Sequence, residues 1–186
     1  MTQDREDLVN LLRERSLREG DFVLSSGVRS SYYIDARLTT MSGRGQVLIG
    51  RLGMDLLDEA GWAPAVVGGL TLGADPVACA IAHAAALAGR PIDAFTVRKE
   101  RKGHGAGRLV EGNLLGGMTV VVVEDTVTSG ASASRAIEAV EEVQGRVIGV
   151  LALVDREEGG KERLERDGYP VRALFTASEL LGRRVL

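Results

Sequence analysis

The chain has 186 residues, a formal net charge of −3 and 45% hydrophobic residues, which is the composition of one globular domain with a sizeable core. Its basic residues are concentrated in one segment rather than spread as a stripe, which argues against a surface for duplex nucleic acid. One cysteine excludes an internal disulfide. There is no signal-type N-terminus and no apolar run of ~20 residues, so we expect a soluble, cytoplasmic protein.

Helical segments recur along the chain. The predicted helices span 4–17, 42–60, a segment that opens at Asp75, and 131–143. Ser42 is the expected N-cap of the second helix. Asp75 and Pro76 are expected to serve as the cap and the first-turn proline of the third.

The third helix contains a cysteine and a histidine one turn apart, Cys79 and His83. This spacing could indicate a pair of metal ligands. The segment is rich in alanine and apolar residues, and no further ligands accompany the pair, so we expect both side chains to pack in the core.

Extended segments alternate with these helices. The predicted strands span 65–68, 92–97, 119–123, 146–154 and 171–175. This order predicts an α/β fold in which helices flank a central parallel sheet. With no linker, repeat or low-complexity tract, residues 1–186 are expected to form a single domain.

The strongest candidate for a site is the segment 119–132. Five β-branched residues precede the adjacent carboxylates Glu124 and Asp125, a pattern typical of a central parallel strand that ends at a ligand. Carboxylates there can accept hydrogen bonds from ribose hydroxyls. Hydroxyl residues and a glycine then lead into a helix N-terminus, which favours phosphate binding. The whole segment consists of Thr126, Val127, Thr128, Ser129, Gly130, Ala131 and Ser132.

The stretch VVVVEDTVTSGAS (120–132) resembles the ribose-5-phosphate loop of the type I phosphoribosyltransferases. The resemblance implies that family's fold and phosphoribosyl diphosphate (PRPP) as substrate. Glu124 and Asp125 would bind the ribose hydroxyls, and residues 126–132 would surround the 5′-phosphate.

A second segment, RKERKGHGAG (98–107), sets four Lys or Arg residues and a histidine against one glutamate. Its glycines give it the freedom of a loop that closes over a ligand. Its spacing is similar to the mobile catalytic loop of orotate phosphoribosyltransferases. The resemblance implies a homodimer in which Arg98, Lys99, Lys102 and His104 contact PRPP, at least partly in the neighbouring subunit.

A third segment, FVLSSGVRSSYYIDAR (22–37), resembles the orotate signature of the same family, which lies in a small N-terminal hood of about residues 1–40. Tyr32 and Tyr33 are adjacent on a predicted strand and therefore point to opposite faces. One can lie against a flat pyrimidine while the other packs inward, and we assign the orotate contact to Tyr33. Ser25 and Leu72 stand where family members often have lysine.

Base recognition is expected to rest on Arg156, which follows the strand 146–154 and matches the family's orotate-binding arginine. A guanidinium can meet the orotate carboxylate through two parallel hydrogen bonds. Thr128 is expected to contact orotate as well.

The resemblance implies transfer of the phosphoribosyl group from PRPP to N1 of orotate, giving orotidine 5′-monophosphate. The transition state of such a transfer is oxocarbenium-like, with negative charge growing on the departing diphosphate. Lys102 and Asp125 are the expected catalytic residues. Mg²⁺ is the expected cofactor, held mainly through PRPP rather than by protein ligands.

Two alternatives stay open. A regulator on the same scaffold would bind PRPP without turnover and use the basic loop for nucleic acid. A purine phosphoribosyltransferase would share the PRPP loop but would have no need for Arg156 to face a carboxylate.

Overall fold

The computed structural model describes residues 2–23, 29–101 and 109–182. The helices are α1 Gln3–Arg15, α2 Arg37–Thr40, α3 Gly43–Glu59, α4 Ala74–Leu87, α5 Ala131–Glu142, α6 Gly160–Arg166 and α7 Ala177–Leu180. The strands are β1 Leu17–Val23, β2 Arg29–Ile34, β3 Val66–Leu70, β4 Asp93–Val97, β5 Val110–Gly112, β6 Thr119–Val127, β7 Arg146–Asp155 and β8 Val171–Thr176.

A six-stranded sheet in the order β5-β4-β3-β6-β7-β8 forms the centre of the molecule. All neighbouring strands are parallel except β5, which runs antiparallel to β4. The predicted α/β class with a central parallel sheet is confirmed. A separate antiparallel pair, β1 and β2, forms the N-terminal hairpin.

Consecutive residues of β6 pack into two different hydrophobic cores, one on each face of the sheet. Val121 and Val123 of β6 pack into a cluster with α1, α3 and α4, whereas Val120 and Val122 pack into a second cluster with α5. Burial on both faces explains why β6 has a continuous run of β-branched residues rather than an alternating pattern. The same burial fixes the register of β6, because a slip of one residue would exchange the two faces.

Several predicted boundaries moved. β6 continues four residues beyond the predicted end at Val123 and includes both carboxylates. The first helix ends at Arg15, and Leu17 already begins β1. Ser42 is the N-cap of α3 as predicted, since its hydroxyl accepts a hydrogen bond from Gly45 N at 3.1 Å.

The prediction that Asp75 caps α4 was wrong. The helix begins at Ala74 and Gly73 is the cap residue. Asp75 instead accepts hydrogen bonds from the hydroxyls of Thr71 and Thr96, so its carboxylate is used by two neighbouring segments rather than by the helix backbone.

The expectation that Cys79 and His83 pack in the core was also wrong, because both are exposed. The buried face of α4 consists of Val77, Ile81 and four alanines, and Cys79 and His83 lie on its solvent side. The described residues contain no cluster of three or more potential metal ligands. Within those same ranges, no helix is long and apolar enough to cross a membrane.

Candidate active site

The segment after β6 forms an open cleft with about 270 Å³ of empty space. Gly130 adopts the left-handed conformation with φ of 75°, which turns the chain from β6 into α5. The cleft thus lies at the N-terminus of a twelve-residue helix, where backbone N–H groups and the helix dipole attract anions. Residues that line it are Glu124, Thr126, Val127, Thr128, Ser129, Gly130, Ala131, Ser132 and Ala133.

Glu124 lies at the inner end of this cleft and is only 5% exposed. Its Oε1 has no hydrogen-bond partner among the described residues. Burial, and secondarily the neighbouring Asp125 carboxylate, raises the pKa of Glu124 to about 8. A buried carboxyl with an open oxygen is suited to a ligand hydroxyl.

Asp125 points toward a different part of the site. Its Oδ1 accepts a hydrogen bond from Thr126 N at 2.8 Å, and the Thr126 hydroxyl lies 3.2 Å from the same oxygen. Burial raises the pKa of Asp125, while these hydrogen bonds and the positive charge of Arg37 oppose the rise. Gly73, in the turn between β3 and α4, packs so closely that a Cβ there would lie 2.5 Å from Asp125 Oδ1.

Arg156 reaches the same sheet edge from the end of β7. Its backbone N–H donates to the Val127 carbonyl at 2.9 Å, which joins it to the phosphate-loop segment. The residue is 8% exposed, its guanidinium lies 5.0 Å from the centre of the Tyr32 ring, and Nη2 lies 2.7 Å from Glu158 Oε1.

The two tyrosines of β2 lie in different surroundings. Tyr32 packs against the core and its hydroxyl donates to the Arg156 carbonyl at 3.5 Å. Tyr33, on the opposite face, is 39% exposed with its ring centre 5.9 Å from that of Phe22. The structure therefore places Tyr32, rather than Tyr33, against Arg156.

The described part of the cationic loop follows β4. Arg98 and Lys99 line an open cleft with Thr71 and Thr96. The carbonyl of Lys99 accepts a hydrogen bond from Arg135 of α5 at 2.7 Å, which fixes the start of the loop beside the phosphate cleft. Lys102, His104 and Ser25 lie outside the described residues.

Sequence reasoning missed three residues of this region, Arg37, Asp75 and Glu158. Arg37 is held by two hydrogen bonds to Asp35, at 2.8 and 3.0 Å, and its positive charge opposes the rise that burial causes in the pKa of Asp125. An aspartate two residues before an arginine was visible in the sequence. The influence of Arg37 on Asp125 depends on how α2 packs in the folded chain, and that packing has no local signal in the sequence.

Comparisons with known proteins identify relatives over almost the whole chain. Residues 45–173 match the family model described as "Phosphoribosyl transferase domain". The orotate phosphoribosyltransferase of Aquifex aeolicus (strain VF5) is 49% identical over 96% of this chain and 98% of its own length.

Two crystal structures of the Mycobacterium tuberculosis H37Rv orotate phosphoribosyltransferase superimpose closely. The complex with Fe(III) dicitrate is 49% identical, with a TM-score of 0.84 over 95% of this chain and 98% of that one. The complex with PRPP is 46% identical, with a TM-score of 0.81 over the same shares of the two chains. Identity at this level over almost the full length, together with the matched domain, means that this chain belongs to the orotate phosphoribosyltransferase family.

Proposed function

We propose that this protein transfers the 5-phosphoribosyl group of PRPP to N1 of orotate, giving orotidine 5′-monophosphate and diphosphate, in the de novo synthesis of pyrimidine nucleotides. The observation that carries the choice of base is Arg156. It is buried beside the phosphate cleft, and its Nε and Nη2 have no hydrogen-bond partner among the described residues.

A buried guanidinium with open N–H groups is suited to a carboxylate. Orotate carries a carboxylate beside N1, and two parallel hydrogen bonds to Arg156 would orient that nitrogen toward the ribose. Adenine and hypoxanthine offer no carboxylate and could not form this pair of hydrogen bonds. Removing one partner of such a pair commonly costs about 2–5 kcal/mol.

We assign the ribose and its phosphate to the segment 124–132. The 5′-phosphate would lie at the N-terminus of α5, where the dipole and the loop N–H groups face the cleft. The open Oε1 of Glu124 can accept a hydrogen bond from a ribose hydroxyl. Asp125 supplies negative charge near the ribose carbon that becomes positive in the transition state.

The leaving diphosphate would lie between the turn at Thr71 and the cations Arg98 and Lys99, which share one cleft. Lys102 and His104 would add to this charge, and Lys102 is the residue that we expect to act mainly in the transition state. Excluding water from the closed site would prevent hydrolysis of the oxocarbenium-like species.

Mg²⁺ fits this arrangement as a partner of the substrate. Glu124 belongs to the lining of the phosphate cleft and Asp125 follows it in β6, and two carboxylates are too few for the six oxygen ligands of an all-protein magnesium site. They suit an ion that keeps phosphate oxygens and waters. When bound, Mg²⁺ would neutralise charge on the diphosphate. Asp125, held by Thr126, would orient that complex.

We propose a homodimer, with the hairpin of β1 and β2 acting as the hood of a single catalytic domain. Leu38, Met41, Val47 and Leu72 are each about half exposed, and the first two share a shallow cleft with Leu72 and Arg37. Apolar side chains grouped beside a site in this way mark an interaction surface. A second copy of the chain would cover them and bring its 98–107 loop to this site.

The single cysteine is consistent with our proposal of a cytoplasmic location.

The reaction is tested by following the loss of orotate absorbance after addition of PRPP and Mg²⁺, with adenine and hypoxanthine as parallel acceptors. Turnover of orotate alone is the expected result. PRPP binding without turnover of any base would instead favour a regulator, and a gel shift that weakens steeply with salt would then identify nucleic acid as its partner.

The contribution of the second subunit is tested with hybrid dimers. Lys102→Ala and Arg156→Ala proteins, each inactive alone, are mixed after mild dissociation. If Lys102 acts in the neighbouring site, each heterodimer contains one intact site, and the mixture recovers about one quarter of the wild-type rate. No recovery would show that the loop serves its own subunit.

A further inference from the structure

The buried Arg156 already lies against a carboxylate of its own chain. Its Nη2 is 2.7 Å from Oε1 of Glu158, and the two side chains are 7% and 37% exposed. The Tyr32 ring covers the guanidinium at 5.0 Å. Glu158 is therefore a partly exposed carboxylate in contact with a guanidinium that the rest of the protein buries.

The pair is an ion pair but not a hydrogen bond. Nη2 is within ion-pair distance of Glu158, yet neither Nη2 nor Nε of Arg156 has a hydrogen-bond partner of acceptable geometry among the described residues. A carboxylate on a guanidinium usually makes two parallel bonds. Glu158 thus compensates the charge of Arg156 while leaving its donors available to a better placed carboxylate.

The turn that carries Glu158 permits such an exchange. Gly159 and Gly160 follow it directly, and Gly159 has a φ of 87°. The preceding residue, Glu157, is fixed by contrast. Its N–H donates to Asp155 Oδ1 at 2.9 Å, and its Oε2 accepts from Ser178 N at 2.7 Å.

We propose that Glu158 substitutes for the substrate carboxylate in the ligand-free site and leaves Arg156 when orotate binds. The inference rests on the proposed function, since it requires a ligand carboxylate at Arg156. Two carboxylates would otherwise compete for one buried cation, and their repulsion would oppose binding. A base without a carboxylate cannot displace Glu158 and leaves the pair in place, so the exchange weakens the binding of orotate without changing the binding of such a base.

Binding of two nucleotides that differ by one carboxylate tests the exchange without turnover. Orotidine 5′-monophosphate and uridine 5′-monophosphate are titrated calorimetrically into the wild type, Glu158→Gln and Glu157→Gln. We expect Glu158→Gln to bind orotidine 5′-monophosphate about three- to tenfold more tightly, because the competing charge is removed. Its affinity for uridine 5′-monophosphate should stay within about twofold of the wild type.

Glu157→Gln is the matched control, since it removes the same charge one residue away and keeps an acceptor for Ser178 N. If affinity rose equally in both variants, or equally for both nucleotides, the change in net charge alone would explain the result. That outcome would overturn the inference. Weaker binding of orotidine 5′-monophosphate by Glu158→Gln would show that Glu158 positions Arg156, which also overturns it. In both cases the proposed function would stand. If neither nucleotide bound to the wild type, both proposals would be overturned.

A crystal structure of the wild type with orotidine 5′-monophosphate gives an independent measurement. We expect the separation of Glu158 Oε1 and Arg156 Nη2 to exceed ion-pair distance, with the ligand carboxylate in its place. Retention of the 2.7 Å contact beside a bound ligand would contradict the exchange.

Discussion

The hydroxyl of Thr71 donates a hydrogen bond to Oδ2 of Asp75 at 2.6 Å. Oδ1 of the same carboxylate accepts the hydroxyl of Thr96 in β4. One side chain thus joins the turn after β3 to the strand that leads into Arg98 and Lys99. These two segments form the sides of the cleft that we assign to the diphosphate.

We expect Asp75→Ala to raise KM for PRPP about tenfold, because hydrogen bonds to a charged group contribute about 1.5–3 kcal/mol and their loss frees both sides of the cleft. KM for orotate should change little. Asp75→Asn keeps one acceptor oxygen, so its KM for PRPP should lie between those of the wild type and Asp75→Ala. Asp93→Ala removes an exposed carboxylate at the other end of β4 and is the control. A lower melting temperature with unchanged KM for PRPP would reduce Asp75 to a structural role.

Gly73 gives a second prediction, because its Cα lies against the carboxylate of Asp125. Its φ of −64° and ψ of −43° suit alanine, so Gly73→Ala introduces no backbone strain. A Cβ would nevertheless lie 2.5 Å from Oδ1 and 2.6 Å from Cγ of Asp125, and the carboxylate must move. We expect kcat to fall about 10- to 100-fold, the scale of a small misplacement of a catalytic group.

The control for this substitution is Gly43→Ala, since a Cβ at Gly43 meets no atom within 4 Å. It should leave kcat unchanged. Steady-state rates and melting temperatures of both variants are the measurements. Wild-type kcat in a folded Gly73→Ala protein would show that the position of Asp125 is not critical.

Gly160 supports the phosphate-loop segment from behind. A Cβ there would lie 2.4 Å from the Thr128 carbonyl oxygen and 2.7 Å from Gly130 N. Both contacts are with backbone atoms, which cannot rotate away as a side chain can. Gly160→Ala should therefore displace the loop and weaken PRPP and ribose 5-phosphate alike, by about tenfold or more. Inhibition by ribose 5-phosphate measures this directly, and an unchanged inhibition constant would contradict the prediction.

The sequence predicted the parts of the site whose residues are adjacent along the chain. Buried parallel strands have continuous apolar runs, so the strand and the carboxylates Glu124 and Asp125 could be located from local composition, although β6 ends at Val127 and not at Val123 as predicted. The order of hydroxyl residues and Gly130 before α5 was likewise a local signal. The assignment of Arg156 came from the resemblance to the family, because local composition alone did not indicate its role.

Long-range packing accounts for what the sequence did not show. Asp75 had the local pattern of a helix cap, but Thr96 lies twenty-one residues away along the chain and pairs with it only because β4 lies beside β3. The pairing of Arg156 with Tyr32 depends on how the hairpin lies over the sheet edge. Cys79 and His83 were misplaced because an alanine-rich helix gives a weak apolar periodicity, so its buried face is not evident from sequence.

The buried carboxyl of Glu124 makes stability depend on pH in a predictable direction. Its pKa is about 8 in the folded, ligand-free protein, against an ordinary value of 4.5. Between these two pH values the folded state holds a proton that the unfolded state has released. Stability therefore falls as pH rises from about 4.5 to about 8, and it changes no further from this group above that range.

Glu124→Gln removes this dependence, because the amide does not titrate. Denaturant unfolding at pH 5 should give similar free energies for the wild type and the variant. At pH 8.5 the variant should be more stable, by an amount on the order of a few kcal/mol. Glu138→Gln, which alters an exposed carboxylate of α5, should show no such divergence. Parallel pH profiles of the wild type and Glu124→Gln would mean that Glu124 ionises normally, and its assignment as a desolvated acceptor for the ribose would then fail.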